Sequence, residues 1–233
     1  MTVEELERQF REAEKTTEFS AHVGFTDLLL SSNEPEVLRY HLSLLDRREN
    51  HDLYQRVRAV FQKRGPAGEA FLISLPKVGL SAAVRVDVLL ILGWMRSEHA
   101  TRIAREAIAS EEDEYRKYGC VVLGWVGSEE EIPILEERLL SDRTPPVRGM
   151  AATAMRQIWF RIPETKGRLL STLREALSVE EDEEVQGLIV VCCQDIAGKR
   201  FGLKEDWAAR EILGDVSRGR DKALKYLDRF RVS

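Results

Sequence analysis

A helical register that recurs four times constrains this chain more than any other feature of its sequence. Each copy carries a two-residue marker, and seven residues after its second member comes a large apolar or thiol side chain. The markers are Val84-Arg85, Tyr115-Arg116, Val147-Arg148 and Val185-Gln186, and the residues that follow are Leu92, Leu123, Met155 and Cys193. Steps of 31, 32 and 38 residues indicate a solenoid, in which helical hairpins stack to bury one continuous core.

The first two copies also share their next pair of residues, Gly93-Trp94 and Gly124-Trp125. The register resembles the HEAT repeat, in particular the short bacterial HEAT-like form also found in phycobilisome lyases. The resemblance implies an all-α fold, a right-handed α-solenoid of stacked helical hairpins similar to the armadillo superhelix. It also implies that a partner would be bound on a surface of the solenoid.

The repeats are expected to form the middle of a single domain that covers residues 1–233. Residues 1–64 would form N-terminal helices, for which degenerate repeats are an open alternative, residues 65–198 the HEAT-like repeats, and residues 199–233 a C-terminal cap. The predicted helices are 3–18, 25–30, 34–45 and 52–63, then the pairs 70–75/82–95, 100–109/114–126, 132–140/146–160 and 166–177/183–196, and last 221–230. Phe201 and Trp207 are expected to cover the open end of the last repeat.

The recurring arginine lies near the start of each second helix of a hairpin. In HEAT repeats this arginine pairs with an acidic residue of a neighbouring unit, and the resemblance implies the same role for Arg116 and Arg148 as well as for Arg85. Residues 111–114 and Asp142 are the candidate partners. Gln186 replaces the arginine in the fourth unit, so we expect the ladder of ion pairs to end before that unit.

Catalytic and metal-binding patterns are missing from the sequence. The four histidines are scattered, no Cys-x-x-Cys or His-x-x-x-His spacing occurs, and no phosphate-binding loop is present. Three cysteines, all in predicted buried helices, suit reduced thiols in a cytoplasm. We therefore expect a cytoplasmic protein without enzymatic activity, cofactor or metal.

The candidate binding site is the stripe of the second helices that faces away from the core, which would line the concave surface of a solenoid. It is apolar with two tryptophans in the first two units and polar afterwards. Its residues are Val86, Leu90, Trp94, Lys117, Val121, Trp125, Thr153 and Gln157, followed in the fourth unit by Gly187, Val191 and Asp195. An exposed apolar patch with tryptophan is typical of a partner site. The alternative is that neighbouring helices cover both rings and that Gly-Trp serves packing alone.

Charge is distributed unevenly along the chain. The net charge of −5 divides into −9 for residues 1–198 and +4 for residues 199–233. The acidic part disfavours nucleic-acid binding, which requires positive charge against phosphate. The basic tail offers a rival site, with a solvated terminal helix as the alternative; it consists of Arg218, Arg220, Lys222, Lys225, Arg229 and Arg231, interleaved with Tyr226 and Phe230.

The function that fits these features is a non-catalytic protein-binding module, an adaptor or an immunity-type inhibitor of bacterial origin, monomeric rather than an obligate oligomer. The partner is a protein of unknown identity, with no membrane involved. Two alternatives remain open: a subunit similar to the phycobilin lyases, which handle a tetrapyrrole, and a nucleic-acid binder similar to the HEAT-like alkylpurine glycosylases. The acidic body counts against the second alternative.

Overall fold

The computed structural model describes residues 2–76, 79–206, 209 and 211–229, and most of them lie in α-helices. The chain divides into two compact units, Met1–Ala100 and Thr101–Ser233, and each is described here by itself. The expected single domain over residues 1–233 stays a prediction.

The described part of the N-terminal unit is built from six α-helices, three of which have a side chain that caps the first turn. The Thr2 hydroxyl accepts from the Glu5 N–H while the Glu5 carboxylate accepts from the Thr2 N–H, a capping box that starts the first helix. Asn50 and Ser81 cap two later helices by accepting from the N–H groups of Leu53 and Val84, without the reciprocal bond of a capping box. The helices are α1 (Val3–Glu14), α2 (Phe19–Leu30), α3 (Pro35–Ser43), α4 (His51–Val60), α5 (Gly65–Ser74) and α6 (Ala82–Trp94).

A buried arginine ties several of these helices together. The Arg64 side chain donates from Nε to His41 Nδ1 at 2.8 Å and from Nη2 to the Leu29 carbonyl at 2.7 Å. The other imidazole nitrogen, Nε2, donates to the Val57 carbonyl at 2.9 Å. Burial and the charge of Arg64 lower the pKa of His41 to about 3. His41 is thus a neutral structural residue, with both ring nitrogens engaged.

The C-terminal unit consists of successive helical hairpins. Its helices are α7 (Ala100–Ile108), which begins at the last residue of the first unit, α8 (Asp113–Val126), α9 (Ile132–Ser141), α10 (Pro145–Arg161), α11 (Lys166–Val179), α12 (Glu183–Ala197) and α13 (Val216–Leu227). The second helices α8, α10 and α12 pack side by side, and the first helices α9 and α11 pack on each other. Leu123, Met155 and Cys193 are fully buried between them. The all-α architecture of stacked helical hairpins is confirmed.

Close packing in two of the hairpins, α7/α8 and α9/α10, involves a small residue on the second helix. A Cβ atom on Gly119 of α8 would lie 2.7 Å from Ile108 Cγ1 and 3.0 Å from the Ala104 carbonyl of α7. Ala151 fills the same register position in α10 and is fully buried. The first helix can therefore approach the backbone of the second.

The C-terminal segment differs from the prediction by containing a β-hairpin. Gly198, with φ of +67°, ends α12. Strands β1 (Lys204–Asp206) and β2 (Glu211–Leu213) then pair antiparallel, with Glu205 opposite Ile212. α13 packs on α11 and α12. Phe201 is buried as predicted, whereas Trp207, Phe230 and Arg231 lie outside the described residues.

Four predicted boundaries are wrong in the less periodic parts of the chain. α1 ends at Glu14 rather than at residue 18. α2 begins at Phe19 rather than at residue 25. α5 begins at Gly65, whereas the prediction placed a helix over 70–75 after Gly65-Pro66. Pro66 is tolerated in the first turn because a backbone N–H there has no acceptor within the helix, so proline loses no hydrogen bond. The last helix begins at Val216, because the Asp215 carboxylate caps it by accepting from the Arg218 N–H.

Replacing Gly119 with alanine should destabilise the protein, because the new methyl group collides with the backbone of α7. We expect a loss of about 2 kcal/mol in the free energy of unfolding. Gly167→Ala is the matched control, since nothing lies within 4 Å of its Cβ position in α11. Alanine there should raise the free energy of unfolding by roughly 0.5 kcal/mol. Urea unfolding followed by circular dichroism measures both. Equal stability of the two variants would contradict the close approach of α7 and α8.

Candidate functional site

The recurring arginines form the predicted ion-pair ladder in the C-terminal unit. Arg116 of α8 binds both carboxylate oxygens of Asp142, at 2.8 and 3.0 Å, and also pairs with Asp113. Arg148 of α10 binds both oxygens of Glu180, at 2.7 Å each. Asp142 and Asp113 are among the predicted partners. Glu180 is a partner that the sequence analysis missed.

Each rung of the ladder occupies the C-terminal end of a first helix, where carbonyl groups lack helical partners. Asp142 follows the last residue of α9, and its own carbonyl accepts from Arg148 Nη1 at 2.9 Å. Glu180 follows α11 in the same manner, and its carbonyl accepts from the Gln186 amide at 2.7 Å. Gln186 keeps this carbonyl contact but forms no ion pair, so the charged rungs end at Glu180.

Removing the carboxylate of Asp142 should cost about 3 kcal/mol, because it leaves a buried guanidinium group without its main partner. The Arg116 side chain is only 5% exposed and that of Asp142 1%. Asp142→Leu tests this by urea unfolding. Asp228→Ala is the control, since the Arg174–Asp228 pair is about half exposed and should contribute less than about 0.5 kcal/mol.

The loss caused by Asp142→Leu should also depend on pH. Burial raises the pKa of Asp142, but the hydrogen bonds from Arg116 and from the Thr144 N–H outweigh it and hold that pKa below 3.8. A carboxyl whose pKa is lowered by folding stabilises the protein above its unfolded value, and this stabilisation disappears as pH falls through the folded value. The difference between wild type and variant should therefore shrink below pH 3.8. A constant difference across that range would contradict an ionised rung.

The candidate stripe in the N-terminal unit is largely inaccessible. Val86 and Leu90 of α6 are 8% and 4% exposed, so their side chains have little surface to offer. Trp94 is half-buried, and the Arg58 guanidinium lies over its ring, 4.9 Å from the centroid. Arg58 also donates to the buried carboxylate of Asp87. The accessible part of this stripe is thus one tryptophan stacked under an arginine.

The candidate residues of the C-terminal unit are all partly exposed. Lys117, Val121 and Trp125 follow one another along α8, and Thr153 and Gln157 lie on α10 beside it. We refer to these five residues as the α8–α10 face. Neighbouring residues engage its polar groups in part, because Lys117 pairs with Glu114 at 3.0 Å and the Thr153 hydroxyl donates to the Gly149 carbonyl at 3.1 Å. The indole and isopropyl groups retain accessible surface.

The glycine of the second Gly-Trp pair explains how α8 and α10 come so close. A Cβ atom on Gly124 would lie 3.0 Å from Ala154 Cα and 2.7 Å from Gln157 Oε1. Arg161, at the end of α10, donates to the carbonyls of Gly124 and Gly127, each at 2.6 Å. Gly124 therefore serves packing, and the tryptophan after it is left at the surface of a firmly joined pair of helices.

In the fourth unit the chain's own hairpin covers the stripe. Ile212 of β2 packs on Gly187 of α12, where an added Cβ would lie 3.3 Å from its methyl group. Arg156 of α10, which is 3% exposed, donates to Asp195 and to Glu205 of β1, each at 3.0 Å. Glu205 and Ile212 are opposite each other in the hairpin, so both point toward the helices. The sequence analysis missed Arg156; an arginine one residue after the buried Met155 was the available signal.

Removing the Glu205 carboxylate should loosen the hairpin without unfolding the unit, since Arg156 keeps Asp195. We expect amide hydrogen exchange in β1 and β2 to accelerate roughly tenfold or more, the equivalent of about 1.4 kcal/mol. Glu205→Ala provides the measurement by mass spectrometry. Lys204→Ala is the control, because Lys204 is exposed on the other side of the same strand. Equal rates in both variants would show that the ion pair does not hold the hairpin.

A polar groove of about 410 Å³ lies between the ends of α7 and α9, and the Arg116–Asp142 pair forms part of its wall. Arg138 and Arg143 oppose Glu111 and Glu137 along it. Among the described residues, no three histidine, cysteine or acidic side chains come together as metal ligands. None of the helices described is both long enough and apolar enough to cross a membrane.

Comparison with known proteins agrees with this geometry. Residues 70–156 match the family model of HEAT repeats, from α5 through the buried Arg156 of α10. No characterised protein matches the chain significantly. The predicted resemblance to HEAT repeats is confirmed by the family match and by the ladder of paired arginines.

Proposed function

We propose that this HEAT-like repeat protein is a non-catalytic interaction module, which binds a partner polypeptide on the α8–α10 face. HEAT repeats are helical repeats of the protein-interaction and scaffold type, and their stacked second helices provide extended binding surfaces. The proposal concerns which surface is used and what kind of partner it takes.

The partly exposed indole ring of Trp125 beside Val121 carries the proposal. Tryptophan is enriched at binding hot spots because one ring buries a large apolar area and provides one hydrogen-bond donor. The contact of Gly124 with Ala154 holds α8 and α10 close together. A surface that is already ordered loses little conformational entropy on binding, and this favours affinity.

The hairpin limits the surface on one side and suggests what can bind beside it. It covers Gly187 and reaches Arg156, so the available part of the stripe lies on α8 and the adjoining side of α10. The hairpin itself docks with one apolar and one polar side chain pointing to the helices. A partner segment that places an apolar side chain on Trp125 and hydrogen-bonding groups near Thr153 and Gln157 would bind in a similar way.

The state of the thiol groups supports a role without catalysis. Burial raises the pKa of Cys120 and of Cys192 to about 12 and also raises that of Cys193 well above its usual value. The thiolate is the nucleophilic form of cysteine, and at neutral pH these side chains remain protonated. The protonated thiols are therefore unsuited to nucleophilic chemistry, and the neutral His41, with both ring nitrogens engaged, is unsuited to acid–base chemistry.

Photocrosslinking in cells tests the proposed surface. A benzophenone amino acid placed at Val121 or at Thr153 should form covalent adducts with a polypeptide, because both positions contact the bound partner. Ser171, exposed on α11, is the matched control position and should give none. Trp125→Ala should reduce adduct formation by about tenfold, corresponding to the loss of one hot-spot side chain.

Circular dichroism must show that the Trp125→Ala variant remains folded. Equal adduct yields from all three positions, or yields that do not respond to Trp125→Ala, would contradict the proposal. Absorbance in the visible range that copurifies with the protein and disappears in Trp125→Ala would instead support the phycobilin-lyase-like alternative.

A further inference from the structure

The C-terminal segment carries a group of cations that the fold leaves exposed. None of the seven forms an ion pair with another described residue, and all are exposed. They are Lys199, Arg200, Lys204, Arg218, Lys222, Lys225 and Arg229. We refer to these seven residues as the basic cap. Arg220, which the sequence analysis grouped with them, has a structural role because it donates to the carbonyls of Leu177 and Ser178 at the end of α11.

Packing between the turn after α12 and the helix α13 brings the two parts of the basic cap together. The Phe201 and Tyr226 rings lie 5.5 Å apart, and Leu203 packs on Gly219, 3.1 Å from where its Cβ would be. The Lys222 ammonium is 3.6 Å from the Cβ position of Gly202. Lys199, Arg200 and Lys204 flank this turn and are therefore held close to the cations of α13.

The Gln194 side chain fixes the turn that carries the first three cations. Its Oε1 accepts from the N–H groups of Phe201, Gly202 and Leu203 at 2.7, 3.0 and 3.2 Å. Its Nε2 donates to the Leu203 carbonyl at 3.1 Å. The turn thus has a defined backbone conformation, and the positions of the adjoining basic residues are set before any partner binds.

Three of the six acidic residues in residues 199–233 are engaged in contacts of their own. Glu205 pairs with Arg156, Asp228 pairs with Arg174, and Asp215 caps the first turn of α13. Glu205 and Asp228 thus pair with arginines outside the basic cap, whereas the exposed Glu211 and Asp221 offset part of its charge, and residues 199–233 still carry a net charge of +4. A group of like charges in one place raises the local potential and attracts an oppositely charged partner.

We propose that the basic cap is a second binding surface, distinct from the α8–α10 face, and that it takes an acidic polypeptide segment bearing an apolar side chain. Leu213 is 45% exposed directly opposite Lys204 in the hairpin, so an apolar contact adjoins the charged one. A polypeptide fits better than a nucleic acid because residues 1–198 carry a charge of −9. A phosphate backbone that extended beyond the basic cap would meet a surface of its own sign.

Fluorescence anisotropy with the full-length protein tests this proposal. The probe is a short labelled glutamate-rich peptide containing one leucine, compared with single- and double-stranded oligonucleotides of equal charge. The peptide should bind in a salt-dependent manner, and K222E/K225E should weaken it by about tenfold or more. K63E/K166E is the control with the same change in net charge at two exposed lysines elsewhere, and it should bind like the wild type.

A third variant separates charge from folding. K222Q/K225Q removes the charges without introducing new ones, so it should weaken binding even if K222E/K225E fails to fold. Absence of peptide binding, or equal loss in the K63E/K166E control, would overturn the proposal. Tighter binding of either oligonucleotide than of the peptide would overturn it in favour of a nucleic acid. Self-association in sedimentation that K222Q/K225Q abolishes would overturn it in favour of a second copy.

Discussion

The C-terminal unit depends on a relay of charges that runs through consecutive repeats. Arg116 holds Asp142 by both oxygens, the Asp142 carbonyl accepts from Arg148, and Arg148 holds Glu180 in turn. Each carboxylate stands at the end of a first helix and each arginine on a second helix, so every rung joins two hairpins. Hydrophobic contact alone would allow neighbouring hairpins to slide, whereas paired bidentate contacts fix their register.

That fixed register affects the two residues of the second Gly-Trp pair differently. Gly124 lies where α8 and α10 approach too closely for a side chain, while Trp125 comes one residue later, about 100° further around the helix. Packing is therefore the role of Gly124, whereas the proposed binding role concerns Trp125. α6 resembles α8 in sequence but not in exposure: Val86 and Leu90 are buried, and Trp94 lies under Arg58. A repeated motif thus predicts how the helices pack more reliably than it predicts which side chains are exposed.

The sequence predicted the periodic helices well because the same pattern recurs in several repeats, so each helix assignment is supported by the others. The bounds of α8 through α12 agree with the prediction to within two residues, since caps, turns and apolar spacing all coincide there. The prediction missed the start of α2 because Phe19 is 64% exposed, so its side chain does not extend the apolar face by which the helix was recognised. The β-hairpin was not predicted because its strands have three residues each, too few for a pattern. Its existence depends on Gly187 and Arg156, which are distant in sequence.

The sequence predicted which positions lie on the outer stripe, and the tertiary structure determines which of them are accessible to solvent. Whether a position on the outer stripe is accessible depends on what the rest of the chain places over it, which no periodicity records. In the fourth unit that covering is the hairpin, held by the Arg156–Glu205 pair and by Gln194. The same fold that closes this end of the stripe turns Lys204 and Leu213 outward. The C-terminal segment therefore covers part of the stripe and carries the proposed second surface, with a charge opposite to that of residues 1–198. The two proposed surfaces differ in charge and polarity, so they would suit two unlike partners, which is what a scaffold requires.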